Sequence, residues 1–567
     1  MMKKYNINRF IIVILLMGLT VSCKDFLDRP TEDSYTIDSF YEDDDQLYQA
    51  VNTIYNSPWY DFQRGFMKIG ETLSGNMIFG IDDSYTNFTL NNSDTDIANA
   101  SASLWSVNAY CNGVIENVDM KSGSAVTQYA KNTVKGEALV WKSMAYFYLV
   151  RCFGAVPIIY NNGEIIANNS STTLKRNKVE DVYQYIVYLL EDAFELLPEE
   201  NQTGRIDKYS ACGLLAKVYL TKSGYGMNGT RNEEDLAQAA KYAKLVIDES
   251  GRELMPNYED IFQLKNNFSD ESLIAWHWTV GSQWTSQNSL QSDLSMGNFS
   301  DAVQSWGNWV YPSIDLQTAF DENAGSLVRN NRDTRRKATM MMVGDHYDYF
   351  WVESGGFDYN WDNATDGTYG GAITFGSGSG SNCAKHIVGR LADAEAQVPG
   401  ATLDRMSTPL STHILRLADV YLIYAEAVLG NGNSTSDAGA LAAYNAVRER
   451  ALHSYYEPAS SITFEDIDKE RRLELALEGD RWYDIVRLHY YKPEEAKAMI
   501  TAQERGYWQG LNDFYEKDDA SNLEIFTHKV SGLSDDDFTL PFPEVDLSLN
   551  PGLMDEPVDF DFSSIGY

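Results

Sequence analysis

The chain is short of cysteine, histidine and positive charge. Five Cys and seven His are spread over 567 residues. No two cysteines form a C-x-x-C pair, so neither a zinc knuckle nor a dithiol redox motif is supported. The histidines make no H-E-x-x-H and no paired-ligand spacing, which leaves zinc chemistry without its ligands. A G-x-S-x-G nucleophile elbow is missing as well. Lys and Arg number 45 against 82 Asp and Glu, a net charge of −37. That balance excludes nucleic acid as a partner, because phosphate contacts need clustered cations, and it excludes docking on anionic lipid through a basic patch. Past the first two dozen residues no long apolar run recurs. What the chain does have is 44% hydrophobic residues, enough for a large core. It also has 12 Trp and 36 Tyr, which favour stacking surfaces.

The first segment reads as targeting. Lys3, Lys4 and Arg9 form a basic stretch, and the apolar run 10–19 is too short to span a bilayer, which takes about 20 residues. Leu19-Thr20-Val21-Ser22-Cys23 then resembles a bacterial lipobox, with Thr20 where Leu is usual. In that reading 1–22 is a signal peptide, and Cys23 is the first mature residue and lipid anchor. Ordinary secretory cleavage nearby is the alternative. Cys111, Cys152 and Cys212 sit in apolar helical patterns and are expected to be small buried hydrophobes.

Paired helices dominate the middle of the chain. Ala138, Trp141, Ala145, Tyr148 and Cys152 draw one apolar helix face, ended at Gly154 before Pro157. A second helix is expected from Asn177, with Glu180 completing a capping box, and its stripe runs Val182, Ile186, Leu189, Ala193. Others are expected over 209–220, 233–250, 415–429, 438–452 and 464–477, the last capped by Thr463, and earlier ones over 45–55 and 105–120. Consecutive pairs of this size are similar to degenerate tetratricopeptide units. Between 251 and 410 Gly, Ser, Asn and Asp take over and helical periodicity is lost, so this stretch reads as long loops carried on the scaffold.

Seven of the 12 Trp fall between 276 and 361. Trp276 and Trp278 belong to a strand-like stretch and are expected in the core. Trp284, Trp306, Trp309, Trp351 and Trp361 sit among small polar residues and are candidates for a sugar platform, because sugar rings pack their C–H faces on aromatic planes. Packing is the rival reading for each. Tyr85 and Asn87, in the polar loop 82–88, offer a second wall. Asp82 and Asp83 could hold a structural calcium through oxygen ligands, although most such clusters are solvated. Glu470, Glu474 and Glu478 recur every four residues beside Arg471, Arg472 and Arg481. A glycosidase would need two acids flanking the bond. Carboxylates balanced by Arg make poor general acids, so an ion-pair lattice is the preferred reading.

Five blocks in order resemble one family. They are Asp25-Phe26-Leu27-Asp28 with Pro30; Gly136-Glu137-Ala138 through Arg151-Cys152-Phe153-Gly154-Ala155-Val156-Pro157; Arg416-Leu417-Ala418-Asp419 through Ala425-Glu426-Ala427; Glu470-Arg471 through Glu478-Gly479-Asp480-Arg481-Trp482-Tyr483-Asp484; and Leu540-Pro541-Phe542-Pro543 with Asn550-Pro551. Together they resemble the SusD/RagB nutrient-binding lipoproteins, with Asp419 and Phe542 departing from the usual Glu and Ile. The resemblance implies a mainly α fold, a tetratricopeptide-like helix-pair scaffold with a long loop-rich insertion face and little β structure. The expected organisation is a single body over 23–567, with scaffold at 40–250 and 411–490, a ligand face at 251–410 and a C-terminal segment at 491–567. It further implies a non-catalytic, cofactor-free protein anchored in the outer membrane through acylated Cys23. Such a protein captures an oligo- or polysaccharide, or in some members a peptide, for a TonB-dependent SusC-like transporter. A glycoside hydrolase on the same scaffold is the remaining alternative.

Overall fold

The computed structural model describes residues 40–305, 310–361 and 378–566; Cys23, Trp306 and Trp309 lie outside them. Over the described residues the chain is mainly α with short paired strands. Helix α1 is Asp44–Asn52. A nearly continuous helical run comes next: a 3-10 stretch Ser57–Phe62, α2 Gln63–Met67 and a wide turn Lys68–Thr72. Strand β1 Met77–Ile78 and the one-turn α3 Ser84–Asn87 lead into α4 Thr95–Lys121 and α5 Gln128–Phe153. Beyond them lie α6 Val179–Leu196, α7 Lys208–Lys222 and α8 Glu233–Glu249. The scaffold resumes with α9 Leu417–Leu429, α10 Ala438–Leu452, α11 Phe464–Glu474 and α12 Arg481–His489.

Each long helix packs on the next, α4 on α5 and so on through α10. Helices α8 and α9 touch although the 250–416 segment separates them, so the helix stack runs straight across the insertion. Strands β2 Ser272–Trp276 and β8 Thr412–Arg416 pair antiparallel, with Ala275 opposite His413, and close the insertion at its base. Helix α5 explains how the pieces cohere. From Gly136 to Phe153 all its residues are buried, the charged Glu137, Lys142 and Arg151 among them, so the helix is enclosed on every side. A Cβ on Gly136 would lie 2.6 Å from Leu197, so glycine is what lets the end of α6 come so near. Trp141 of α5, Trp59 and Trp276 of β2 form one aromatic stack, with Trp59 and Trp276 ring centroids 5.2 Å apart. The core therefore sits where scaffold and insertion meet.

Several expectations change on contact with the structure. Asn177 does not cap α6. Its side chain accepts from the Ile158 N–H, its backbone bridges Val156 and Val558, and Lys178 takes the cap position without a side-chain bond. Helix α4 begins ten residues before Trp105, capped by Asp94, because a Ser- and Ala-rich turn shows no apolar stripe to read. The helix expected over 415–429 starts at Leu417, after Leu415 and Arg416 have finished β8. Helix α11 stops at Glu474, so Glu478 is not on its face. Leu477 (φ 62°) and Gly479 (φ 73°) turn the chain, and the turn returns Glu478 to the same buried cluster.

Strands β4 Met340–Met342 and β7 Ser381–Cys383, with the hairpin β5 Asp345–Tyr347 and β6 Phe357–Tyr359, give the insertion its own packed centre. The four cysteines Cys111, Cys152, Cys212 and Cys383 are free and buried.

Candidate functional site

The acidic signature residues lie deep inside. Arg416 donates to Glu271 at 2.6 Å, to Glu474 at 3.0 Å and to Glu478 at 2.7 Å. Arg450 adds bonds to Glu271 and Glu474, and Arg335 to Glu470 and Glu474. Burial alone would raise the Glu474 carboxyl. Arg450, Arg416 and Arg335 overcome that and hold it at about 2. Glu478, buried and facing Arg416 and Lys385, is likewise held at about 2. Glu474 is 0% exposed, so it can reach neither a glycosidic oxygen nor water. These carboxylates are a lattice that ties α11, β8 and α10 together.

The exposed face is built differently. Tyr60 and Arg64 are partly exposed on the 57–72 helical run, whose later turns are buried. Trp284 packs against Tyr60 to complete a short exposed stripe. Its short 3-10 turn is closed by reciprocal bonds between Gln283 and Ser286, and by Thr279 N–H donating to the Ser286 carbonyl at 2.9 Å. The turn leaves the Trp284 ring 63% exposed, with an edge contact to Tyr60 at 6.1 Å. Among the described residues it is the exposed tryptophan; the others are buried or half-buried. Arg64 stands near Tyr60, fixed by two bonds to Asp293 at 2.6 and 3.2 Å with its side chain 42% exposed. Lys68, further along the run, is buried, held between Asp83 at 2.9 Å and Asp96 at 3.1 Å and lying over the Tyr85 ring, so it braces the loop from beneath. A rigid aromatic plane beside oriented polar groups is what a sugar needs: C–H stacking on the ring and hydrogen bonds at the hydroxyls.

The other sequence candidates divide. Trp351 is buried in the insertion's centre, with the Arg390 guanidinium 3.3 Å over one face and Phe299 and Phe357 beside it. Trp361 is 4% exposed and stacks on Tyr515. Both are corrected to packing residues, because the β5–β6 hairpin turns aromatic side chains inward while its polar ones face out. Tyr85 is also buried. Its hydroxyl donates to Asp94 at 2.8 Å, so it supports the loop without offering a ring face. Asn87 is half-buried and shapes the same loop, donating to the carbonyls of Ile81 and Asp83. Trp306 and Trp309 fall outside the described residues. The chain on either side is well tied: Gln304 N–H donates to the Arg405 carbonyl at 2.7 Å and Ser305 Oγ to the Ser295 carbonyl, while β3 Tyr311–Pro312 pairs with β1. Strand β1 leads directly into the 79–88 loop.

Tyr60 and Arg64 were missed from sequence. The four-residue spacing was the available signal, hidden by the apolar neighbours Trp59 and Phe62. Asp83 is already committed, capping α3 through the Tyr85 N–H and pairing with Lys68. Among the described residues no group of three or more His, Cys, Asp or Glu is placed to hold a metal ion.

Comparison with known proteins agrees with this architecture. The SusD family model matches residues 197–558, and a second model, described as starch-binding associating with outer membrane, matches 25–220. A SusD-like protein of Bacteroides ovatus is 33% identical over 99% of this chain and 100% of its own. One crystal structure, 33% identical, covers 92% of this chain and all of its own with a TM-score of 0.80. Another, solved with xylogluco-oligosaccharide, is 32% identical and covers 91% of this chain and 99% of its own with a TM-score of 0.76. The chain thus belongs to the SusD family, whose members are non-catalytic, carbohydrate-binding proteins associated with the outer membrane.

Proposed function

We propose that this protein is a lipid-anchored, surface-exposed receptor that captures a glycan on the Trp284 face and passes it to a TonB-dependent SusC-like transporter. The observation that carries the binding reading is the exposed Trp284 ring on a closed turn, beside Tyr60, with the Asp293-fixed Arg64 near that tyrosine. The relative solved with xylogluco-oligosaccharide makes a β-glucan chain the first ligand to test. The anchor rests on Cys23 and the basic and apolar stretches before it. The transporter rests on the family and on the need of a binding protein with no pore of its own for a route inward.

Affinity electrophoresis through gels of xyloglucan, laminarin and starch tests the ligand class, and extraction of native membranes in mild detergent tests the partner. The expected results are retardation in at least one gel without release of reducing sugar, and co-purification with a large β-barrel. Steady sugar release, or purification as a lone soluble chain from cells carrying the native Cys23, contradicts the reading.

A further inference from the structure

The last hundred residues add an aromatic surface that the Trp284 stripe does not use. Strands β9 Tyr507–Gln509 and β10 Glu524–Phe526 pair antiparallel, with Tyr507 opposite Phe526. Their rings stack with centroids 4.9 Å apart and 24° between planes, and Phe526 remains 46% exposed. An exposed aromatic pair on a surface hairpin presents a ring face on which a ligand can bury apolar surface. The pair walls an open groove of about 680 Å³, whose opposite side is the loop bearing Asp82 and Asn87 and whose floor continues to His528 and Lys529.

This groove is held open by construction. His528 Nε2 lies 2.7 Å from Asn87 Oδ1, a bond that joins the hairpin's outgoing strand to α3. At the hairpin's base the fully buried Arg505 donates to the carbonyls of Thr72, Leu73 and Thr86. One guanidinium thereby fixes the hairpin against both the end of the 57–72 helical run and the loop across the groove. The same helical run carries Tyr60 at its other end. Tyr60 and Lys68 are about 12 Å apart at 1.5 Å per residue, and Lys68 pairs with Asp83, the neighbour of Asp82. The groove thus lies at the opposite end of the 57–72 helical run from Tyr60 and Trp284.

We infer that the Tyr507–Phe526 pair is a second saccharide subsite, which stacks a sugar ring several units along the chain from the one on Trp284. The inference rests on the glycan reading of the Trp284 face. The chemistry of the groove matches a neutral polyhydroxylated ligand: aromatic faces for C–H contacts, and the Asp82 carboxylate, Asn87 amide and Lys529 ammonium at its edges for hydroxyls. Opposite charges at Asp82 and Lys529 leave no net preference for an ionic ligand.

The test uses the full mature chain with Phe526→Ala, Tyr507→Ala and Phe526→Tyr, titrated with xyloglucan polymer and with its short oligosaccharides; if wild type is retarded only by laminarin or starch, that glucan and its oligosaccharides replace them. Expected is a loss of about three- to tenfold in affinity for the polymer in each alanine variant, little change for the shortest oligosaccharide, and recovery in Phe526→Tyr. Hydrogen exchange should show polymer-induced protection over 507–526. Polymer binding unchanged in both alanine variants, with no protection at the hairpin, overturns the subsite while leaving the Trp284 reading intact. Failure of the wild-type protein to bind any of the three glucans removes the glycan reading and the subsite with it.

Discussion

Lys142 shows how far single side chains govern this molecule. It sits in the middle of α5, its ammonium donates to Asn112 Oδ1 at 2.6 Å, and no ion pair to a carboxylate is formed among the described residues. Burial drives its pKa from 10.5 down to about 7, with a small opposing effect from Cys111. Between those two values the unfolded chain holds a proton that the folded chain has released. Stability therefore rises with pH across that window, and the cost of the buried charge is fully present below pH 7. Lys142→Met should be more stable than wild type at pH 6, with a smaller increase in denaturation midpoint between pH 7 and pH 10. An unchanged pH slope would show that the amine is solvated. The acidic signature works in the opposite sense: Glu474 and Glu478 are depressed from 4.5 to about 2, so their contribution is present above pH 4.5 and fades as pH falls toward 2. An ion-pair lattice was legible, but the arginines close in sequence pair elsewhere, Arg471 with Asp419 and Asp484, Arg472 with Asp315 and Arg481 with Asp468. The partners Arg335, Arg416 and Lys385 come from distant segments and were not legible. The tryptophans show the limit of composition as a guide. Gly, Ser and Asn around Trp351 mark the turns of a hairpin whose alternation of Tyr347, Phe357 and Tyr359 with exposed His346 and Asp358 buries the aromatics. Period two over three residues was too short a signal to read.

Elements were most legible where a cap and an apolar stripe agree. Helix α10 occupies 438–452 as expected, and Thr463 opens α11 in a reciprocal cap with Asp466. Asn177 fails as a cap because its amide is needed by two chain segments that meet only in three dimensions, one of them near residue 558. The turn after α11 is the element on which the signature depends. Gly479 has φ 73°, and a Cβ there would run into the Phe66 ring, while Gly70 is packed directly against its backbone. Its N–H also donates to Glu71 at 2.7 Å. Gly479→Ala should therefore cost at least about 1–2 kcal/mol from the left-handed backbone alone, and more from the displaced Phe66. Chemical denaturation measures it. A loss well under 1 kcal/mol would mean that the turn relaxes freely, and that the α11–α12 corner does not hold the 57–72 run in place.

At the scale of the whole molecule, the design separates rigidity from recognition. The helix stack α4 to α10 and the Trp59–Trp141–Trp276 core carry stability. The proposed binding stripe lies at the start of the 57–72 run, braced by the insertion through Asp293, and the C-terminal hairpin is fixed to the end of the same run through Arg505. The net charge of −37 keeps such a body soluble and repels nucleic acid, yet leaves neutral glycans unaffected. The family and the helical scaffold were readable from blocks spread over nearly the full length, whereas of the proposed site only Trp284 was. The other members come from the 57–72 run and the 507–528 hairpin, and nothing in linear order joins them to it. The most direct measurement is a calorimetric titration of wild type and Trp284→Ala with the glucan that retards the wild-type protein, paired with thermal melts. The account predicts a loss of about 1–2 kcal/mol of binding, roughly tenfold in affinity, with the melting temperature nearly unchanged because the 63% exposed ring supports few core contacts. Undiminished affinity together with a sharply lowered melting temperature would make Trp284 a packing residue and contradict it.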